Sequence, residues 1–195
     1  MLPAARAATE MIEPDDDPPA QDSIDRSSDQ FFMSQALREA RKAFRQEEVP
    51  VGAVVVHEGH IIGRAANQVE LLRDATAHAE MLALTQAQSA IGDWRLTHCD
   101  VFVTKEPCPM CAGAIVHCRI RRVIFGCPDE KSGAAGGFIN LLQNTPLNHH
   151  CLITSGVLAK ESAALLKAFF RLRREAPPPS GPVSPPEPPP QQLRG

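Results

Sequence analysis

Asp100-Val101-Phe102-Val103-Thr104 runs through Lys105-Glu106 into Pro107-Cys108-Pro109-Met110-Cys111, and this stretch decides the fold. Its first part is a short apolar run rich in β-branched and aromatic residues, the pattern of a buried strand. Its second part opens a helix over residues 109–118. Proline suits the first helical position, where its missing N–H costs no bond, so Pro109 places Cys108 at the cap. Three positions along a helix turn through about 300°, so the sulfurs of Cys108 and Cys111 lie near one face. There the positive end of the helix dipole lowers thiol pKa and favours metal ligation.

The flanking sequence continues the alternation. Upstream, Phe32, Ala36, Ala40, Ala43 and Phe44 recur at helical spacing, so a first helix is expected over 29–46. Pro50 ends it. Residues 51–56 and 61–66 read as strands joined by the turn Glu58-Gly59, a hairpin, and residues 77–90 are good helix formers. Downstream, 122–126 is a fourth strand. The glycine-rich loop 133–137 precedes a short helical piece, Cys151-Leu152-Ile153 is a fifth strand, and 157–174 a last helix rich in Ala and Leu. This order implies an α/β fold with a mixed sheet and helices on both faces.

The two ends read differently. Residues 1–28 carry the acidic run Glu13-Pro14-Asp15-Asp16-Asp17-Pro18-Pro19, and residues 176–195 hold nine of the chain's 18 prolines. Such segments bury too little apolar surface to offset the entropy of ordering, so both are expected as disordered, solvated tails around one domain at 29–175. The tails hold three arginines against eight acids, which leaves the domain with 17 basic and 15 acidic residues out of 20 and 23. The acidic balance of the whole chain therefore does not exclude an anionic partner. No stretch is long and apolar enough to span a membrane, and the N-terminus lacks the apolar core of a signal peptide. With metal spacing at Cys108 and Cys111, the other four cysteines (99, 118, 127, 151) are expected as reduced, buried small residues of a cytoplasmic protein.

His78-Ala79-Glu80 completes the chemistry. Two positions on a helix diverge by about 200°, so His78 and Glu80 converge on one point only if His78 lies at or before the first turn. Thr76 is the expected N-cap. Two helix N-termini would then face one zinc ion, with ligands His78, Cys108 and Cys111. Three protein ligands leave the fourth tetrahedral position for water, which zinc acidifies, and the free carboxylate of Glu80 can move protons. This inventory suits replacement of a ring amino group by oxygen. A structural zinc with Cys118, His117 or Cys99 as fourth ligand is the alternative.

Joined, His78-Ala79-Glu80 and Pro107-Cys108-x-x-Cys111 are a known signature of zinc-dependent nucleobase deaminases. The chain more widely resembles the bacterial tRNA-specific adenosine deaminases, which convert adenosine to inosine at the anticodon wobble position. The resemblance covers about Phe31 to Arg174. It includes Val49-Pro50-Val51-Gly52-Ala53, Thr76–Glu80, Glu106–Ile115, Asp129–Gly136 and Phe169-Phe170-Arg171-Leu172-Arg173-Arg174. It implies a three-layer α/β/α cytidine-deaminase-like fold with a five-stranded sheet, one zinc per subunit, a homodimer, and tRNA as partner. It also implies that Glu80 is the proton shuttle, that Asn67 hydrogen-bonds the flipped base, and that the loop with Asp129 and Lys131 contacts the anticodon. Arg171, Arg173 and Arg174, and a second cluster at Arg119, Arg121 and Arg122, are implied RNA contacts. Lys105 departs from the family, which usually has an apolar residue before Glu-Pro-Cys. It is expected to extend to solvent or RNA phosphate rather than to perturb the ligands. Aromatic platforms for base stacking are scarce, since most phenylalanines sit in core-like positions. The same site would serve a deaminase of free cytosine, guanine or a pterin-like ring, and a non-catalytic zinc-stabilised RNA-binding module is the alternative of another class.

Overall fold

The computed structural model describes residues 28–175; the expected tails at 1–28 and 176–195 lie, but for Ser28, outside the described residues. Helix α1 spans Asp29–Arg45. Ser28 caps it, accepting the Phe31 N–H at 3.1 Å, with Asp29 in the first turn and Lys42 and Arg45 in the last, each charge opposing the adjacent dipole end. Strands β1 (Gly52–His57) and β2 (His60–Ala66) follow, then short α2 (Val69–Leu72), α3 (Ala79–Ile91), β3 (Cys99–Lys105), α4 (Pro109–His117), β4 (Arg122–Cys127), β5 (Leu152–Ser155) and α5 (Ala159–Glu175).

The sheet order is β2-β1-β3-β4-β5. Strand β1 is antiparallel to β2 and to β3, whereas β3, β4 and β5 are parallel. The strands therefore form the expected mixed five-stranded sheet. Its period-two side chains divide between two helical layers. Val54, Val56, Phe102 and Ile124 meet Phe32, Met33 and Ala36 of α1. Phe169 of α5 joins this layer, its ring 6.0 Å from that of Phe44. On the other face, Ala53, Val55, Val101, Val103, Val123 and Phe125 meet Ala79, Ala83 and Ala87 of α3 and Ala112 and Ile115 of α4. Each large apolar side chain so buried contributes about 1.5–3 kcal/mol. Alanine-rich helix faces let backbones approach closely. A Cβ on Gly52 would lie 2.1 Å from the Ala36 carbonyl oxygen and 2.4 Å from the Ala40 nitrogen, so only glycine fits where β1 passes under α1.

Three expectations need correction. The segment after the glycine-rich loop forms turns and one isolated bridge, Ala135–Asn140, not a helical piece. The short helix α2 was not foreseen. Thr76 does not cap α3: its N–H and hydroxyl both bond Asp74 Oδ1, at 2.8 and 2.7 Å, and His78 is the N-cap. Asp74 competes for Thr76 with a local turn, which moves the helix start two residues on.

Candidate active site

Strands β3 and β4 run parallel with Lys105 opposite Cys127, so both end at the same edge of the sheet. Ligands in α/β sheets bind beyond such carboxyl ends. Here α4 begins, with Cys108 at its N-cap and Pro109 in its first turn. The N-terminus of α3 faces it, with His78 as N-cap and Glu80 inside the first turn. His78 has extended backbone (φ −70°, ψ 151°), which lets it and Glu80 point to one place despite their spacing.

The donor atoms form a small triangle. Cys108 Sγ and Cys111 Sγ are 3.7 Å apart, and His78 Nδ1 lies 3.8 and 3.5 Å from them. Tetrahedral zinc, with bonds of about 2.3 Å to sulfur and about 2.0–2.1 Å to nitrogen, requires S···S of ~3.8 Å and S···N of ~3.6 Å. The donors thus fit zinc without rearrangement. Among the described residues this is the one cluster of its kind. Cys99 and Cys118 are buried elsewhere, and His117 lies at the far end of α4 from Cys108, so none of them supplies a fourth ligand.

The electrostatics suit a cation. The hydrogen bond between the two sulfurs brings the Cys108 thiol down to about 3 against its burial, with His78 helping. The same bond, burial and the neighbouring Glu80 push Cys111 up. The hydrogen bond with Cys108 raises His78. The lowered Cys108 thiol and the raised His78 imidazole thus stand side by side. Burial pushes the Glu80 carboxyl up, against its own backbone N–H and His78, and the carboxyl also interacts with the Cys111 sulfur. A carboxyl tuned upward is suited to exchanging protons near neutrality, and a bound dication would moderate that shift.

His78, Glu80 and Cys108 open on a cavity of about 330 Å³ that Asn67, Lys105, Phe170 and Arg173 also line. Asn67 follows β2 and is buried. Its Nδ2 donates to Glu48 Oε2 at 3.1 Å, and Glu48 Oε1 accepts the Leu71 N–H at 2.7 Å. A carboxylate only accepts, so Glu48 fixes which end of the Asn67 amide faces it. Glu48 escaped sequence reasoning because its partners lie 19 and 23 residues away.

Glu106, in the Glu-Pro-Cys stretch, organises the neighbouring loop. It is 2% exposed, and its carboxylate accepts the N–H groups of Asp129 (2.8 Å), Ala135 (2.9 Å) and Gly137 (2.8 Å). The 129–137 loop is wound around it. A Cβ on Gly133 or Gly137 would lie 2.3 Å from the Glu106 carboxyl group, which explains those glycines. Asp129 stands at the start of the loop. Its Oδ1 accepts the N–H groups of Lys131 and Ser132 at 3.0 and 3.2 Å, and its Oδ2 accepts the Ser132 hydroxyl and Lys105 Nζ. Burial raises its carboxyl, but these bonds, led by Lys105, win and hold it well below the usual carboxylate range. Lys105, on the cavity wall and 28% exposed, thus turns onto Asp129 instead of extending into solvent. Lys131 is exposed on the loop.

The arginines separate. Arg121 and Arg122 bond Asp100, and Arg122 also bonds Asp29 of α1. These contacts sit at the beginnings of β3 and β4, ~17 Å of strand away from the cavity edge. Arg119 donates to the Asn148 carbonyl. The expected second RNA cluster is therefore engaged in holding elements together. Arg171, Arg173 and Arg174 are exposed near the end of α5, and Arg173, 5.6 Å from the Phe169 ring, reaches the cavity wall. Phe170 is 44% exposed there.

Residues 27–174 match the MafB19-like deaminases. The chain is 47% identical over 149 residues to a tRNA-specific adenosine deaminase of Bacillus subtilis (strain 168), spanning 76% of this chain and 92% of that protein. A solved structure from a study of A-to-I editing by tRNA:A34 deaminases at the wobble position of transfer RNA superposes with a TM-score of 0.67 at 43% identity, over 69% of this chain and 98% of that one. A second, solved with 2,6-diaminopurine, gives 0.65 at 26% identity over 74% and 82%.

Proposed function

The chain belongs to the MafB19-like deaminase family, and from this premise we propose that it hydrolyses adenosine to inosine at the wobble position of tRNA anticodons, using one zinc ion per subunit. The observation that carries the reading is the donor triangle of His78, Cys108 and Cys111 with buried Glu80 beside it, all opening on one cavity. The similarity to tRNA-specific adenosine deaminases over most of both chains supports the substrate.

His78, Cys108 and Cys111 would hold the zinc, which when bound supplies Lewis acidity and brings water toward ionisation at neutral pH. The chain's own residues do the rest. Glu80 accepts the proton released as water is activated and delivers it to the ring nitrogen, then takes the proton of the hydroxyl added at C6 and passes it to the departing amine. Replacing the 6-amino group by oxygen releases ammonia and leaves inosine. Asn67, held by Glu48, offers its amide to the edge of the flipped base. Lys105 and Glu106, which hold the 129–137 loop, and Arg173 of α5 line the cavity, so an anticodon strand would lie against this loop, with Lys131 exposed and Asp129 acting chiefly as the loop's internal anchor. A homodimer and a cytoplasmic setting complete the proposal. All six cysteines are free, as a reducing compartment allows, and no helix among the described residues is long and apolar enough to cross a membrane.

The competing substrate class is a free ring such as guanine or cytosine. Zinc-loaded protein is incubated with an anticodon stem-loop carrying wobble adenosine and, separately, with free guanine and cytosine. Inosine in the stem-loop with no release of ammonia from the free bases is the expected result. The reverse pattern would overturn the substrate assignment.

A further inference from the structure

The cavity wall leads, at Lys105, into an ion pair that the chemistry above does not use. Lys105 ends β3, lines the cavity, and bonds Asp129 through Nζ. Both side chains are largely shielded, 28% and 14% exposed. The Asp129 carboxylate is filled by four donors, from Lys105, Lys131 and two groups of Ser132, and a carboxylate has about four acceptor sites. It has no lone pair to spare for an incoming group, so its remaining influence on a ligand is its charge. That charge matters because the cavity wall is already acidic: Glu48, Glu70, Glu80 and Glu106 line it, against Lys105 and Arg173.

We propose that Lys105 is a specificity-determining residue for a polyanionic substrate: its ammonium masks the Asp129 carboxylate, so an RNA strand meets a neutral rim at the cavity mouth. A free neutral base would gain nothing from the mask. The proposal rests on the reading of the protein as a tRNA deaminase. An unmasked unit charge ~6 Å from a phosphate, at an effective dielectric constant of ~40–80, corresponds to about threefold to tenfold in binding. The repulsion is screened as salt rises.

The test uses the zinc-loaded full chain and the variants Lys105→Met, Asp129→Asn and the double variant, with zinc content measured in each. Steady-state kinetics on the stem-loop are followed at about 50 and about 200 mM salt, a range over which phosphate contacts weaken strongly. Lys105→Met is expected to raise KM about threefold to tenfold at low salt with kcat within about twofold, and the deficit shrinks at higher salt. Added to Asp129→Asn, the lysine substitution should change KM less than about twofold, because no charge remains to mask. A salt-insensitive deficit, an equally large effect in the Asp129→Asn background, or an unchanged KM for Lys105→Met would overturn the masking role. The second of these is what a direct phosphate contact or a merely structural lysine would give. Wild-type protein that leaves the stem-loop unedited would overturn the functional reading, and this proposal with it; wild-type editing with a failed cycle overturns the proposal alone.

Discussion

Replacing Glu106 by glutamine removes an acceptor that the loop at the cavity mouth cannot do without. Glu106 Oε2 accepts the Asp129 N–H, while Oε1 accepts those of Ala135 and Gly137. Glutamine has one oxygen. Placed at the Oε1 position it keeps two bonds, and its NH₂ then faces the Asp129 N–H, donor against donor. A buried N–H left unpaired costs about 1–3 kcal/mol, and the two surviving bonds fall from about 1.5–3 to about 0.5–1.5 kcal/mol each on losing the charge. At the low end of each range the total is about 3 kcal/mol, about two powers of ten in the opening equilibrium of the loop. Native-state hydrogen exchange of the amides of Asp129, Ala135 and Gly137 reads this directly, with amides of β1 as the internal reference. Exchange about 100-fold faster at the three loop amides is expected. Rates within about threefold of wild type at all three would refute the view that Glu106 organises the loop.

Gly52→Ala should cost about 3 kcal/mol in urea unfolding, since the new methyl group would overlap the backbone of α1 at Ala36 and Ala40; an unchanged midpoint would show that α1 can shift freely. Metal binding near neutral pH should release about one to two protons, from Cys111 and His78, because Cys108 is already a thiolate. Affinity therefore rises with pH, and calorimetry in buffers of different ionisation enthalpy counts the protons; no release would contradict the assigned ionisation states. The Asp129 carboxyl is depressed in the folded chain. Its stabilising contribution is then fully present above the ordinary aspartate value of about 4 and fades as pH falls from there toward the folded value. Loop-amide protection measured down an acid series should follow that course in wild type and be flatter in Asp129→Asn.

The features legible in the sequence were those set by local spacing. The strands carry continuous apolar runs, and alternating residues such as Val54 and Val55 do face opposite helical layers. The divergence of His78 and Glu80 on a regular helix demanded that His78 stand at a helix start, and it is the N-cap of α3. What stayed hidden depends on distant partners. Glu48 and Glu106 are ordinary acidic letters until the chain brings Asn67 to one and the Asp129–Gly137 backbone to the other. Arg121 and Arg122 looked like an RNA patch, yet Asp100 and Asp29 take them at the sheet edge away from the cavity. Thr76 lost its capping role to a neighbour two residues back, a competition that propensity does not resolve. The segment after the glycine-rich loop folds back on that loop, with the N–H groups of Phe138 and Ile139 on the Gly133 carbonyl and that of Leu141 on the Ala134 carbonyl, rather than following helical preference.

The central claim is that Glu80 moves protons at a metal held by His78, Cys108 and Cys111. Inosine formed in the stem-loop during a single turnover, with zinc counted on the same sample, tests it most directly in wild type and Glu80→Gln. About one zinc per chain is expected in both proteins, with a loss of about 100-fold or more in rate for the variant. A fully loaded Glu80→Gln protein that edits as fast as wild type would contradict it.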